Sequence, residues 1–120
     1  MDMTEQPAKI LIVDDIPETR DLIEKILKFE QGIEVVGSVS EGESVVDAIK
    51  ETSADVVLMD LHLSGIDGIE ATKLLKEKYP WVQVIIISTS EGTPDEYRRA
   101  MKAGASDFVT KDKFLKQASL

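Results

Sequence analysis

The stretch VVLMDLHLSGIDG, residues 56–68, joins four apolar residues to an aspartate and then to residues that favour turns. An apolar run of this kind, half of it β-branched, is typical of a strand buried on both faces. Asp60 follows where such a strand would leave the core, and Gly65 and Gly68 indicate a turn before the next element. The stretch therefore predicts a buried parallel strand that ends on a bare carboxylate.

The same alternation of apolar strands and amphipathic helices runs through the whole chain. Strands are predicted at residues 9–13, 33–39, 55–59, 82–87 and 107–109. Helices are predicted from Pro17 to the Gln31-Gly32 pair, at residues 41–52, 69–79 and 95–103, with at most the opening turns of a fifth helix after Lys111. This order favours an α/β fold with a doubly wound, five-stranded parallel sheet covered by helices on both faces. We expect an N-terminal tail at residues 1–8 and one domain at residues 9–120.

Composition excludes several classes of function. The 120 residues contain no cysteine, which rules out disulfides, thiol catalysis and cysteine-rich zinc sites. No apolar run approaches the length of a membrane span, and the N-terminus has no signal-peptide core. We therefore expect a cytoplasmic protein that does not contact a membrane. The formal net charge of −9 argues against direct binding to nucleic acid by this segment.

The predicted strand ends carry polar groups that meet at one edge, because ligands of an open parallel sheet bind outside the carboxyl ends of its strands. These ends are Asp14-Asp15, Asp60, Ser88-Thr89-Ser90 and Thr110-Lys111. Clustered carboxylates repel one another unless a cation neutralises them, and Mg²⁺ prefers such oxygen ligands. Lysine and hydroxyl groups suit phosphate oxygens. Together these groups predict a site that receives a phosphoryl group on an aspartate.

A purely structural interpretation exists for each residue alone. Asp14 or Asp15 could cap the following helix, and a single lysine such as Lys111 is most often a surface residue. The coincidence of all these groups at one sheet edge favours the phosphoryl site.

Four segments together resemble the receiver (phosphoacceptor) domain of response regulators in two-component signal transduction. They are ILIVDD at 10–15, DVVLMDLHLSGIDGIEA at 55–71, VIIIS at 84–88 and AGASDFVTK at 103–111. They occur in the order and at the spacing of that family. The resemblance implies a flavodoxin-like fold with strand order 2-1-3-4-5.

The resemblance also implies the metal and phosphoryl chemistry of the site. Asp60 would be the phosphorylated aspartate. Asp14 and Asp15 would organise Mg²⁺, Asp15 directly and Asp14 largely through water. The backbone carbonyl of His62 would be a further metal ligand, while its side chain is interpreted as a bystander or as a group that tunes the lifetime of the phosphorylated form.

Three further positions match the part of the family pattern that responds to phosphorylation. Lys111 would pair with a phosphoryl oxygen, Ser88 would be the switch hydroxyl, and Phe108 would be the aromatic switch residue. Counting backward from Lys111 places the switch hydroxyl on Thr89 instead. We prefer Ser88, because the apolar strand leads directly into it.

Two positions depart from the family pattern. Ser64 stands where the family usually has proline, which should loosen the loop after Asp60. Asp112 stands where proline commonly follows the lysine, as in the branch that carries a helix-turn-helix output domain. The segments VDDIPETR and FEQGIEVVG resemble receivers attached to pilus-assembly ATPases instead. An output domain that binds DNA or hydrolyses ATP would therefore lie outside this chain.

The resemblance implies a phosphorylation-dependent switch and not a turnover enzyme. A sensor histidine kinase would supply the phosphoryl group, and the face formed by helix four and strand five would contact an output domain or a second copy of the chain. The candidate residues of that face are Tyr97, Arg98, Met101 and Phe108.

Three alternative functions remain open on the sequence. The chain could be a phosphate-independent interaction domain with the same fold. A haloacid dehalogenase-type phosphatase is less favoured, because His62 stands where its second aspartate is needed. A flavin-binding protein is also less favoured: STSEGT at 88–93 is similar to a flavodoxin phosphate loop but follows the wrong strand.

Overall fold

A computed structural model describes residues 6–89 and 92–118 and shows a sheet of parallel strands in the order β2-β1-β3-β4-β5. The strands are β1 (Ala8–Val13), β2 (Ile33–Val39), β3 (Val56–Asp60), β4 (Gln83–Ser88) and β5 (Asp107–Thr110). The fold class and strand order expected from the sequence are confirmed. The first strand begins one residue before the expected domain boundary at residue 9.

The helices are α1 (Pro17–Lys28), α2 (Val45–Thr52), α3 (Gly68–Lys78), α4 (Pro94–Ala103) and α5 (Lys111–Ala118). The helix expected at residues 41–52 is split, because a short 3-10 helix, η1 (Gly42–Ser44), precedes α2. The first helix ends at Lys28, before the expected Gln31-Gly32 pair, and Phe29 forms its C-cap. None of the helices in the described ranges is long and apolar enough to cross a membrane.

Two apolar layers cover the two faces of the sheet. One layer joins the sheet to α1 and α5 and contains Ile12, Ile23 and Leu58, with Phe114 of α5 packed against it. The other joins the sheet to α2, α3 and α4 and contains Met59 and Leu75. Because both faces are covered, the central strand β3 is buried along nearly its whole length, as its apolar run predicts.

The start of α3 lies unusually close to the end of β3. A side chain on Gly68 would place its Cβ 2.3 Å from the backbone oxygen of Asp60, so this approach requires glycine. The Asp67 side chain caps α3 by accepting from the Glu70 N–H at 2.8 Å. Gly68 therefore allows α3 to begin directly against the residue that ends β3.

An aromatic pair, the exposed Trp81 and the half-buried Tyr79, lies near the amino-terminal ends of the strands. Trp81 lies in the loop between α3 and β4, and 68% of its surface is exposed. Its ring packs edge-on against Tyr79, with 5.5 Å between the ring centroids. This pair and Asp60 therefore lie at opposite ends of the strands.

Candidate functional site

Three carboxylates meet at the carboxyl ends of β1 and β3. Val13 of β1 pairs with Met59 of β3, so the next residues, Asp14 and Asp60, lie side by side. Asp15 joins them, and the three residues offer carboxylate oxygens that all lie within 4.8 Å of one another. Asp14 and Asp60 are buried, whereas Asp15 is half-buried at the rim. The structure thus brings together the three acidic residues that the sequence singled out.

Lys111 lies against the same cluster. Its Nζ is 2.9 Å from Asp14 Oδ2 and 3.8 Å from Asp60 Oδ2, and only 12% of the side chain is exposed. Strand β5 ends at Thr110, so α5 begins on Lys111 itself. One ammonium group among three carboxylates leaves two negative charges when all are ionised, which is the charge of one divalent cation.

The surroundings of Asp60 disfavour the ionised form of its carboxyl group. Its pKa is raised from 3.8 to about 6, because burial and then the negative charge of Asp14 raise it more than the Lys111 ammonium and the His62 backbone N–H lower it. Within residues 6–89 and 92–118, Asp60 Oδ1 is the one buried side-chain polar atom without a hydrogen-bond partner. A buried acceptor of this kind is a group that a cation or a water molecule could satisfy.

This arrangement fits Mg²⁺ as the implied cofactor. The donors are hard carboxylate oxygens, which Mg²⁺ prefers, and few protein ligands leave room for water and phosphate oxygens. A divalent cation would satisfy the unpartnered oxygen of Asp60 and neutralise the excess negative charge. Asp14, Asp15 and Asp60 are therefore the residues that would hold it.

Asp14 does not cap α1, as the structural interpretation of the sequence supposed, but it does hold the turn that precedes the helix. Its Oδ1 accepts from the Ile16 N–H at 2.9 Å, just before α1, and Arg20 Nη1 donates to its backbone oxygen at 2.6 Å. The N-cap of α1, Ile16, makes no side-chain cap of its own. The turn at the start of α1 therefore fixes the Asp14 carboxylate in the cluster.

Ser88 ends β4 and is fully buried, whereas Thr89 is exposed. Ser88 lies beside Thr110, and Ile86, two residues earlier, lies beside Phe108. Because strand side chains alternate between faces, Ser88 and Phe108 lie on the same face of the sheet. This placement favours Ser88 over Thr89 as the hydroxyl coupled to Phe108. The following residues 90–91 lie outside the described part of the chain.

Phe108 contacts the start of α4. A Cβ on Gly92 would lie 2.8 Å from the Phe108 ring, and the ring stands edge-on to Tyr97 with 6.0 Å between centroids. Tyr97 is half exposed and Arg98 is exposed, while Met101 packs against the core. The predicted helix-four face therefore has Phe108 at its edge.

Leu61, directly after Asp60, is buried, whereas His62 and Ser64 are exposed. The role of the His62 carbonyl as a metal ligand stays a prediction. Ser64 Oγ donates to Asp15 Oδ2 at 3.2 Å. Sequence reasoning missed this contact and the role of Glu43, whose Oε1 accepts from the Ile66 N–H at 3.1 Å. Neither contact follows from local sequence, because the partners are far apart along the chain.

Comparisons with known proteins agree with this geometry. A profile of the response regulator receiver domain family matches residues 10–118. This chain belongs to that family. The receiver resemblance deduced from the sequence, and its place in two-component signal transduction, are therefore confirmed.

Similar receiver domains occur in several bacterial regulators. The chain is 38% identical over 103 residues to the response regulator GacA of Pseudomonas aeruginosa, covering 86% of this chain and 48% of that protein. It is 32% identical over 111 residues to the transcriptional regulatory protein DegU of Brevibacillus brevis, covering 92% and 46%. The chain thus spans about half the length of these curated relatives.

Solved structures share the same fold. The response regulator domain of Thermotoga maritima CheB superposes with a TM-score of 0.81 at 29% identity, covering 95% of each chain. A LuxR-family response regulator from Aurantimonas gives a TM-score of 0.82 at 28% identity, covering 93% of this chain and 87% of that one.

Proposed function

We propose that this receiver domain is a phosphorylation-dependent switch that accepts a phosphoryl group from a sensor histidine kinase on Asp60. The observation that carries the proposal is the Asp60 carboxylate itself. It is buried at the sheet edge, has an unpartnered oxygen, and lies between two further carboxylates and the Lys111 ammonium.

The transfer step requires an ionised Asp60. A carboxylate oxygen of Asp60 attacks the phosphorus of a phosphohistidine, forming an O–P bond as the P–N bond breaks and the imidazole takes its electron pair. Lys111 moves from the carboxylates toward a phosphoryl oxygen and balances its charge. Bound Mg²⁺ would supply further neutralisation of charge on the transferring group. The proposed Mg²⁺ ligands are the carboxylates of Asp14, Asp15 and Asp60 and the backbone carbonyl of His62.

The phosphorylated state then changes the surface near α4. Ser88 moves to donate to the phosphoryl group, and Phe108 turns into the vacated space. Because Phe108 contacts Gly92 and Tyr97, its movement biases the position of α4. This face would contact an output domain or a second copy of the receiver. DNA-binding and ATPase outputs are both compatible with the proposal, and the chain itself is not a turnover enzyme.

The proposal is tested by incubating the protein with acetyl phosphate and Mg²⁺ and measuring intact mass. We expect one added phosphoryl group on the wild type and none on Asp60→Asn. Asp55→Asn is the control, because this aspartate lies at the other end of β3 and should leave uptake unchanged. A wild type that takes up nothing from acetyl phosphate or from histidine kinases would instead support the phosphate-independent interaction domain.

A further inference from the structure

The loop between β3 and α3 is attached to two other parts of the molecule. Ser64 Oγ donates to Asp15 Oδ2 at 3.2 Å, and Asp15 lies just after β1. The Ile66 N–H donates to Glu43 Oε1 at 3.1 Å, and Glu43 lies in η1. The loop that lacks the usual proline is thus attached both to the carboxylate cluster and to the start of α2.

Glu43 lies directly over the turn that follows Ser64. A Cβ on Gly65, whose φ is +81°, would come within 2.6 Å of Glu43 Oε2. A Cβ on Gly42 would lie 2.8 Å from the Ile66 side chain. These close approaches pack η1 against the loop, so the position of the Ser64 hydroxyl is set by contacts on both of its sides.

The hydroxyl acts on the least enclosed member of the cluster. Asp15 is half-buried and faces the negative charges of Asp14 and Asp60, which favour turning its carboxylate toward solvent. A hydrogen bond from Ser64 opposes that rotation. Each carboxylate oxygen has two acceptor sites, so Asp15 can accept from Ser64 and still bind a cation.

We propose that Ser64 is a positioning residue that orients Asp15 for Mg²⁺, with Glu43 holding the loop that carries it. This inference rests on the proposed function, since it assigns a role toward the cation of the same site. Partners of metal-binding carboxylates typically change metal affinity by about 10-fold to 100-fold. The bond is exposed, so we expect an effect at the lower end of that range.

The test measures Mg²⁺ binding by titration calorimetry on three variants. Ser64→Ala removes the hydroxyl, Ser64→Pro removes it while introducing the residue usual in the family, and Ser64→Thr retains it. We expect Ser64→Ala and Ser64→Pro to bind Mg²⁺ about tenfold more weakly than the wild type. Ser64→Thr should bind close to the wild-type value. Circular dichroism melts in Mg²⁺-free buffer confirm that each variant is folded.

The possible outcomes separate this inference from the proposed function. Wild-type affinity in Ser64→Pro with weak binding in Ser64→Ala would show that loop stiffness and not the hydroxyl matters, and would overturn the inference. Unchanged or tighter binding in Ser64→Ala would also overturn it, while acetyl phosphate labelling of the wild type would leave the proposed function intact. A wild type that binds no Mg²⁺ would overturn both.

Discussion

Asp60 is the residue at which burial and charge are in direct conflict. Its side chain is 4% exposed and its neighbours include two carboxylates, yet the transfer reaction needs it ionised. A pKa of about 6 keeps it mostly ionised at neutral pH, but the folded state loses stability by holding that charge. A reactive nucleophile and a destabilised fold therefore have the same cause.

This conflict predicts a pH-dependent stability difference between the wild type and Asp60→Asn without Mg²⁺. The pKa of Asp60 is higher in the folded protein than its unfolded value of 3.8. The stabilising effect of the proton is therefore present below pH 3.8 and lost as pH rises through about 6. The free energy of unfolding of Asp60→Asn minus that of the wild type should therefore increase between low pH and pH 7. The expected increase is up to about 3 kcal/mol.

Urea unfolding of both proteins in EDTA, followed by far-UV circular dichroism between pH 4 and 7, measures this difference. Using the difference between the two proteins cancels the titration of the other acidic groups. A gap that stays constant across this pH range would contradict the raised pKa of Asp60.

At the scale of secondary-structure elements, the apolar runs predicted the strands well, because strands buried on both faces leave a continuous apolar signal in the sequence. Residues 33–39 match β2 at both ends, and the other strands differ by a residue. Helix ends were less predictable. The start of α2 is displaced by η1, whose Gly42 packs against Ile66 of a distant loop. Such tertiary contacts leave no local pattern.

The close contact between α3 and β3 predicts that Gly68→Ala is strongly destabilising. The added Cβ would lie 2.3 Å from the Asp60 backbone oxygen, so either α3 or the end of β3 must move. We expect a loss of about 3 kcal/mol in the free energy of unfolding and slower acetyl phosphate labelling, because Asp60 is displaced.

Gly37→Ala in β2 is the matched control. Its Cβ would meet Thr52 and Leu11 side chains at 3.4 and 3.5 Å, which is ordinary contact. Its labelling rate should equal that of the wild type. Equal labelling rates in Gly68→Ala and wild type would show that the approach of α3 does not position Asp60.

At the scale of the whole molecule, Lys111 connects the last described helix to the centre of the sheet. It begins α5 and contacts Asp14 after β1 and Asp60 at the end of β3. The sequence predicted that these groups meet, because carboxyl ends of parallel strands share one edge. It did not predict that Lys111 lies nearer Asp14 than Asp60, since that depends on where α5 begins.

This position predicts that Lys111→Met destabilises the protein most when Mg²⁺ is absent. The variant leaves buried carboxylates without their cation, and we expect a loss of about 2–3 kcal/mol in EDTA. Saturating Mg²⁺ should recover much of this loss, because it neutralises the same carboxylates. Urea unfolding with and without Mg²⁺ measures both values.

Lys116→Met is the control on the same helix. Lys116 also pairs with an aspartate, Asp112, at 3.3 Å, but both side chains are largely exposed. Its replacement should change the unfolding free energy by less than about 0.5 kcal/mol, with or without Mg²⁺. Equal losses in the two variants would contradict the bridging role of Lys111.

The exposed Trp81 has a practical consequence for optical measurements. It is the single tryptophan of the chain and precedes β4, whereas Asp60 lies level with Ile87 near the end of that strand. The strand from Gln83 to Ile87 alone separates the two levels by about 13 Å. Indole emission should therefore be insensitive to metal binding or phosphorylation at Asp60. The native tryptophan is therefore an internal fluorescence reference whose signal is independent of the chemistry at Asp60.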